Sequence, residues 1–365
     1  MKAIVSGGGS GGHIFPAVAI ANAIKKRWPE ADILFVGAEG RMEMEKVPAA
    51  GYEIMGLPIA GLQRKLTPRN ILKNLQLPFR MMQSNHKVKA ILREFQPDIV
   101  VGVGGFASEP TLKAASRLGF PTLLQEQNSY AGLTNKLLAK DARTICVAYE
   151  GMERFFPKEK IVFTGNPVRD AIEQMNCTRE EGLAHFNLNA DLPVVLVVGG
   201  SLGARSLNNM MLHNLGFTTE NPIQVIWQTG RWGYNEAVNA SKGIDGLRVH
   251  EFIQRMDLAY AAADVIISRA GAIAISELCI VGKPVILVPS PNVAEDHQTK
   301  NAMALVNKGA AIMVPDAESE AKGMNTVKEL LGDKERMTAM SKAIRKMAVR
   351  GAADKIVDEI EKIIK

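Results

Sequence analysis

This sequence predicts two Rossmann-like α/β domains, each built on a parallel sheet, and three observations carry that prediction. Apolar β-type runs alternate with helical-period segments through both halves of the chain, the pattern of βαβ units. The halves open alike: KAIVSGGGSGGH at the start and PVVLVVGGSLGAR from Pro193 are each a strand, a glycine-rich turn and a helix. A chain of 365 residues exceeds one ordinary core and suits two domains of roughly 150 to 200 residues each.

Taken in order, strands are expected near 2–6, 32–36, 98–103, 121–124 and 143–147 in the first half, with a short IVF strand at 161–163. In the second half they are expected near 193–198, 223–227, 247–249, 264–268 and 284–288. The domain boundary is placed at Thr164-Gly165-Asn166-Pro167, where Gly and Pro interrupt the pattern. This gives an N-terminal domain over 1–164, a C-terminal domain over 165–340, and a helix over 341–365 that crosses back to the first domain. Two such domains predict a ligand cleft between them.

Composition narrows the class. Hydrophobic residues at 47% and charged residues at 22% are ordinary for a globular protein. Cys146, Cys177 and Cys279 lie far apart, so neither a disulfide framework nor a zinc site is expected, and a reducing compartment fits. Glycines interrupt the N-terminal apolar run, and no stretch reaches the roughly 18 apolar residues of a membrane span. The net charge of +6 is local: residues 54–93 hold eight basic residues and no acid, which leaves 36 basic against 38 acidic residues elsewhere. Within that stretch Ile71, Leu72, Leu75, Phe79 and Met82 recur at helical spacing. An apolar face with a rim that includes Lys65, Arg69, Lys73 and Arg80 is expected to dock on anionic lipid, unless the stripe is simply core. No nucleic-acid role is expected.

Gly7, Gly9 and Gly12 match GxGxxG after a strand, with Ser10 and Gly11 inside the turn. A dinucleotide reading would need Glu39 at the ribose, but Glu39 comes late for that spacing, and His13 and Pro16 occupy the helix start. His13 is expected at the carboxyl edge of the sheet, where it either accepts a proton from a sugar hydroxyl or caps the helix. Gln125-Glu126-Gln127-Asn128, with Asn135 beyond, places polar groups at another strand end, as an acceptor site requires. Ser268-Arg269-Ala270-Gly271-Ala272 opens a helix whose free N–H groups suit a pyrophosphate, and Glu277 falls on the face that brings a carboxylate to ribose hydroxyls. Ser201 in the second glycine turn and Arg169 at the boundary are phosphate candidates, and Gln298 is a candidate for sugar hydroxyls. His297 beside Asp296 lacks a third ligand at convincing spacing and no DxD occurs, so no metal and no cofactor are expected.

Together GGGSGGHIFP, GRMEMEKVP, VGVGGFAS, QEQNSYAGLTN, TGNPVR, GGSLGA, SRAGAIAISE and EDHQTKNA resemble, in order and wording, the MurG family of lipid-linked N-acetylglucosaminyltransferases, over residues 1 to 310. The resemblance implies a GT-B fold and inverting transfer of N-acetylglucosamine from UDP-N-acetylglucosamine to the 4-hydroxyl of undecaprenyl-pyrophosphoryl-muramoylpentapeptide. It implies a peripheral enzyme on the cytoplasmic face of the cell membrane, with other cell-wall synthesis proteins as partners. It places His13, Glu126 and Asn128 on the acceptor side, Arg169 and Ser201 near the diphosphate, Phe252 and Ile253 near uracil, Glu277 at the ribose and Gln298 at the donor sugar. His13 is the expected general base, with Glu126 as the alternative. Three positions depart from the family's usual residues: Gln125 where His is frequent, His297 where a second Gln is, and Glu109 where Gly is. A left-handed backbone at Glu109 would be strained. The rival readings are a nucleotide-sugar epimerase on the same fold and, more distantly, a dinucleotide-dependent oxidoreductase.

Overall fold

The computed structural model describes residues 1–9, 11–59 and 77–365. Ser10 lies outside the described residues, as do Arg64, Lys65, Arg69, Ile71, Leu72, Lys73 and Leu75. The chain separates into two compact units, Met1–Val168 with Gly351–Lys365, and Arg169–Arg350.

The first unit carries β1 (Lys2–Ser6), β2 (Asp32–Ala38), β3 (Glu53–Leu57), β4 (Ile99–Gly102), β5 (Thr122–Glu126), β6 (Thr144–Val147) and β7 (Ile161–Phe163). They form a parallel sheet in the order β3-β2-β1-β4-β5-β6-β7. Alternate residues of β1 serve opposite faces. Ala3 and Val5 pack with Ile20 and Ile24 of helix Gly11–Arg27. Ile4 packs with Val88 and Leu92 of helix Leu77–Phe95 and with Leu112. Helix Ala352–Ile364 completes the first of these faces: Ile356, Val357 and Ile360 are wholly buried beside Ala3 and Val5. Its outer side is tied by Arg27 to Asp358 (2.7 Å) and Glu361 (2.6 Å).

The second unit carries β8 (Val194–Val198), β9 (Gln224–Gln228), β10 (Leu247–His250), β11 (Val265–Ser268), β12 (Val285–Leu287) and β13 (Ile312–Met313), parallel in the order β10-β9-β8-β11-β12-β13. Val195 and Val197 pack on Leu207 and Met211 of helix Arg205–His213.

The expected strands are present, and two more appear. β3 was not foreseen because EIMGL lies at the sheet edge, half exposed, with a glycine inside it. β13 has only two residues, too few to show a period. Glu109 corrects one expectation: it lies in the first turn of helix Ser108–Arg117, outside the left-handed region, and pairs with Lys113 one turn on (3.2 Å). No strain arises there.

Both sheets reverse strand order once, between β1 and β4 in the first and between β8 and β11 in the second. At such a switch point the connections leave toward opposite faces and open a crevice at the carboxyl ends of the strands. The loops after β1, β4, β8 and β11 are the glycine-rich turns and SRAGA, so the fold itself puts the chemically suggestive segments where ligands bind.

Candidate active site

In the first unit the turn after β1 and the turn after β4 are sewn together. Gly8 N donates to Gly104 O (3.3 Å), Val103 N to Ser6 O (2.9 Å), and the Ser108 hydroxyl lies 2.6 Å from Ser6 O. The approach is close enough that a Cβ on Gly105, whose φ is +91°, would overlap the Gly8 carbonyl. Beneath the turn lies Glu43, 1% exposed, whose two oxygens accept Gly9 N (2.9 Å) and Ala38 N (3.1 Å). A buried carboxylate thus fixes the first turn to the end of β2.

His13 stands in the first turn of helix Gly11–Arg27, half-buried, with its ring beside Gly104. Its Nδ1 is 3.1 Å from Gly8 O. A carbonyl only accepts, so Nδ1 carries the hydrogen and Nε2 is the basic nitrogen of the neutral ring. Burial lowers the His13 pKa below the usual 6.5, against the opposing pull of Glu126, the Gly8 carbonyl and Glu43.

Glu126 ends β5, 1% exposed, and organises the loop that follows. One oxygen accepts Asn128 N (3.0 Å) and Asn128 Nδ2 (3.2 Å); the other accepts Gly132 N (3.0 Å) and Asn135 Nδ2 (2.9 Å). Four donors on one carboxylate describe a loop anchor with a charge that bears on His13. Gln125 is wholly buried and donates to Asn166 Oδ1 (2.9 Å), so the residue that replaces the family's usual His is part of the packing under the loop.

In the second unit Arg169 and Glu277 meet. Arg169 Nε donates to Glu277 Oε1 (2.7 Å) and Nη2 to Oε2 (2.6 Å), a two-pronged pair in which Glu277 is buried and Arg169 is partly open. Tyr260 adds its hydroxyl at 3.4 Å from Oε2, and burial together with Glu277 drives the Tyr260 phenol well up. Burial, the largest single influence, lowers the Arg169 pKa, and the bond to and charge of Glu277, with Tyr260 and Asp257, together more than offset it. Gly271 caps helix Ala272–Val281 without a side-chain bond to the first-turn N–H groups. Arg269, a neighbour in sequence, is engaged elsewhere: it donates to Asp316 Oδ1 (2.5 Å), Ser206 Oγ (2.7 Å) and Val288 O (3.0 Å).

The glycine turn after β8 is held by Gln228, which ends β9. Gln228 Nε2 donates to Gly200 O (2.9 Å) and its Oε1 accepts Ile253 N (2.8 Å). This bond pair joins the turn that bears exposed Ser201 to the segment that bears Phe252, which is 52% exposed. Gln298 lies in helix His297–Val306, and its Oε1 accepts Ser290 N (2.8 Å). The helix is entered through Glu295 (φ 54°) and Asp296 (φ 51°), two successive non-glycine residues in the left-handed region. Such strain persists where the surroundings over-determine it, and functional loops are where it collects.

Comparison with known proteins decides the family. Residues 3–147 match the glycosyltransferase family 28 N-terminal domain and residues 194–356 its C-terminal domain. The chain is 56% identical, over all of its length and 98% of the relative's, to the UDP-N-acetylglucosamine–N-acetylmuramyl-(pentapeptide) pyrophosphoryl-undecaprenol N-acetylglucosamine transferase of Parabacteroides distasonis. It is 54% identical, over all of its length and 96% of the relative's, to the enzyme of that name from Bacteroides fragilis. The crystal structure of Acinetobacter baumannii MurG aligns with a TM-score of 0.78 at 28% identity, over 99% of each chain.

The chain belongs to the MurG family. It is a glycosyltransferase of GT-B fold. Within the first unit His13, Gly11, Gly12, Glu126, Asn128 and Asn135 gather at the ends of β1, β4 and β5. Within the second, Arg169 and Glu277 form one pair and Ser201, Phe252 and Ile253 are linked through Gln228; Gly271 and Ala272 form the helix start, and Arg269 turns toward Asp316. Two residues with clear roles in shaping these turns, Glu43 and Gln228, carry no local signal except that Glu43 lies inside GRMEMEKVP.

Proposed function

We propose that the protein transfers N-acetylglucosamine from UDP-N-acetylglucosamine to the 4-hydroxyl of the muramyl sugar of an undecaprenyl-pyrophosphoryl pentapeptide, with inversion. The observation that carries the reading is the 3.1 Å contact of His13 Nδ1 with the Gly8 carbonyl. With Nδ1–H tied to Gly8, the ring turns a neutral nitrogen to a sugar hydroxyl, and its lowered pKa keeps it neutral near pH 7. The hydroxyl proton passes to Nε2 as the oxygen attacks the anomeric carbon, and UDP leaves. Glu126 holds the acceptor loop and stabilises the imidazolium that forms. On the donor side Glu277 accepts from ribose hydroxyls, and Arg169, Ser201 and the N–H groups after Gly271 meet the charge that develops on the diphosphate. Phe252 and Ile253 face uracil, and Gln298 meets the donor sugar.

The same reading places the protein on an anionic membrane surface. Among the described residues no helix is long and apolar enough to cross a membrane. Helix Leu77–Phe95 exposes Met81 (44%) and Met82 (65%) beside His86 and the cation Lys89, an apolar strip with a basic neighbour. Incubation with labelled UDP-N-acetylglucosamine and a short-chain analogue of the lipid acceptor tests the activity. A β-1,4-linked disaccharide product, with UDP released only when acceptor is present, is expected. Acceptor-independent loss of UDP, or epimerised donor, would overturn the reading.

A further inference from the structure

A cavity of about 670 Å³ opens at the carboxyl ends of β2 and β3, lined by Arg41, Pro58, Ile59, Phe79, Arg80 and Gln83. That volume is in the range of small-molecule sites. Its acid, Glu39, is neutralised by Lys87 at 3.1 Å. Since β2 and β3 follow β1 in the sheet, and neighbouring strands lie about 4.8 Å apart, the cavity begins roughly 5 to 10 Å from the turn that bears His13. Glu43 couples the two places, because one of its oxygens holds Ala38 at the end of β2 and the other holds Gly9.

We propose that this cavity is a subsite for the peptide stem of the acceptor, with Arg41 and Arg80 binding the stem's carboxylates. The inference rests on the acceptor reading given above. In a muramyl sugar the peptide hangs from the lactyl group on O3, next to the O4 hydroxyl that His13 would deprotonate. The stem therefore departs within a few bonds of His13 and has two ways out along the strand ends. Toward β4 and β5 it meets Glu109 and Glu126; toward β2 and β3 it meets Arg41 and Arg80. Glu109 is engaged by Lys113 and Glu126 by its four loop donors, so these acids of the first route offer a carboxylate no attraction, whereas Arg41 and Arg80 of the second attract it. Guanidinium forks match carboxylates in pairs of hydrogen bonds, and the Pro58, Ile59 and Phe79 wall suits small apolar side chains between them. Helix Leu77–Phe95 serves both tasks from different faces: Phe79, Arg80 and Gln83 line this cavity, while Met81, Met82 and His86 line the lipid-facing strip.

The test uses the full chain and three short-lipid acceptors that share the pyrophosphate: one with the peptide's carboxylates free, one with them amidated, and one without peptide. Wild-type kcat/KM is expected to fall about tenfold from the free to the amidated peptide, the scale of a charge-assisted bond. R41A and R80A should erase that ratio, and R41K should restore part of it. A ratio that survives in R41A and R80A overturns the subsite. So does an equal loss on all three acceptors, which would assign these arginines to the pyrophosphate or the sugar. Failure of the wild-type protein to use any of the three would overturn the acceptor reading itself, and the subsite with it.

Discussion

Replacing Glu43 by Ala removes a buried side chain that ties the first glycine turn to the end of β2. Two backbone N–H groups, Gly9 and Ala38, lose a charged acceptor at 2.9 and 3.1 Å, and Ala38 lies within the buried end of β2. A hydrogen bond to a charged group contributes about 1.5 to 3 kcal/mol, and the desolvation of the carboxylate offsets part of that gain. A net loss of about 2 to 4 kcal/mol follows for the first unit. For a unit of this size each kcal/mol shifts Tm by about 2 to 4 °C, so a fall of about 4 to 16 °C is expected. Glu43→Gln keeps one acceptor oxygen and turns an NH₂ against a donor, and should lose about half as much. Scanning calorimetry measures both variants, and the same preparations assayed below their transition should show reduced kcat with the donor KM nearly unchanged, because the turn bears His13. An E43A protein that melts with the wild type and turns over normally would refute the claim that this carboxylate positions the turn.

His13→Ala should lower kcat by about 100- to 10,000-fold while UDP-N-acetylglucosamine binding, read by calorimetry, stays near wild type. Because burial lowers the His13 pKa, the acid limb of the wild-type pH–rate profile should lie below pH 6.5, with activity lost as pH falls through it and a plateau above. The limb should vanish in a slow H13A variant and persist if another group is the base. Glu277→Ala should weaken donor binding by about 1 to 3 kcal/mol, and Arg169→Ala should lower stability as well, since it leaves a buried carboxylate without its guanidinium; unchanged donor affinity in E277A, with the fold intact, would remove Glu277 from the ribose. Gly203→Ala should destabilise the second unit by about 1 to 3 kcal/mol, because φ there is +79° and the added Cβ would overlap the Thr229 carbonyl; an unshifted melting curve would show that the turn adapts. Met81→Ser combined with Met82→Ser should reduce co-sedimentation with anionic vesicles, and binding that ignores both changes and salt would count against the lipid-facing strip.

The fold class was legible because it rests on periodicity, which is local. A buried parallel strand such as VVLVV followed by GGSLGA announces itself in a dozen residues, and two such openings are enough to predict two sheets. Edge strands announce less, as β3 and β13 illustrate, since half-exposed or two-residue segments escape the apolar pattern. The candidate site divides along the same line. His13, Glu126 and Glu277 stand out because each follows a strand or a glycine turn. That Arg169 grips Glu277 is not legible, since 108 residues separate them. Nor is the bond pattern that makes Gln228 and Glu43 the supports of the turns, because a Gln at a strand end or a Glu in a helix start has many ordinary uses. Arg269 shows the converse: its place in SRAGA suggests a ligand, while its guanidinium meets Asp316, 47 residues on.

The helix Ala352–Ile364 has a consequence for how the chain is made. Ile356, Val357 and Ile360 seal the face of β1 and helix Gly11–Arg27, yet they leave the ribosome only after residues 169–350, which form a contiguous unit of their own. The second unit can close its core during synthesis, while the first, though made earlier, carries Ala3, Val5, Ile20 and Ile24 incompletely covered until that helix arrives. Birth order and completion order are therefore reversed in this protein. A nascent chain stalled before residue 352 would hold a finished second unit and a first unit with an open apolar face, the state in which chaperones and proteases would compete for it.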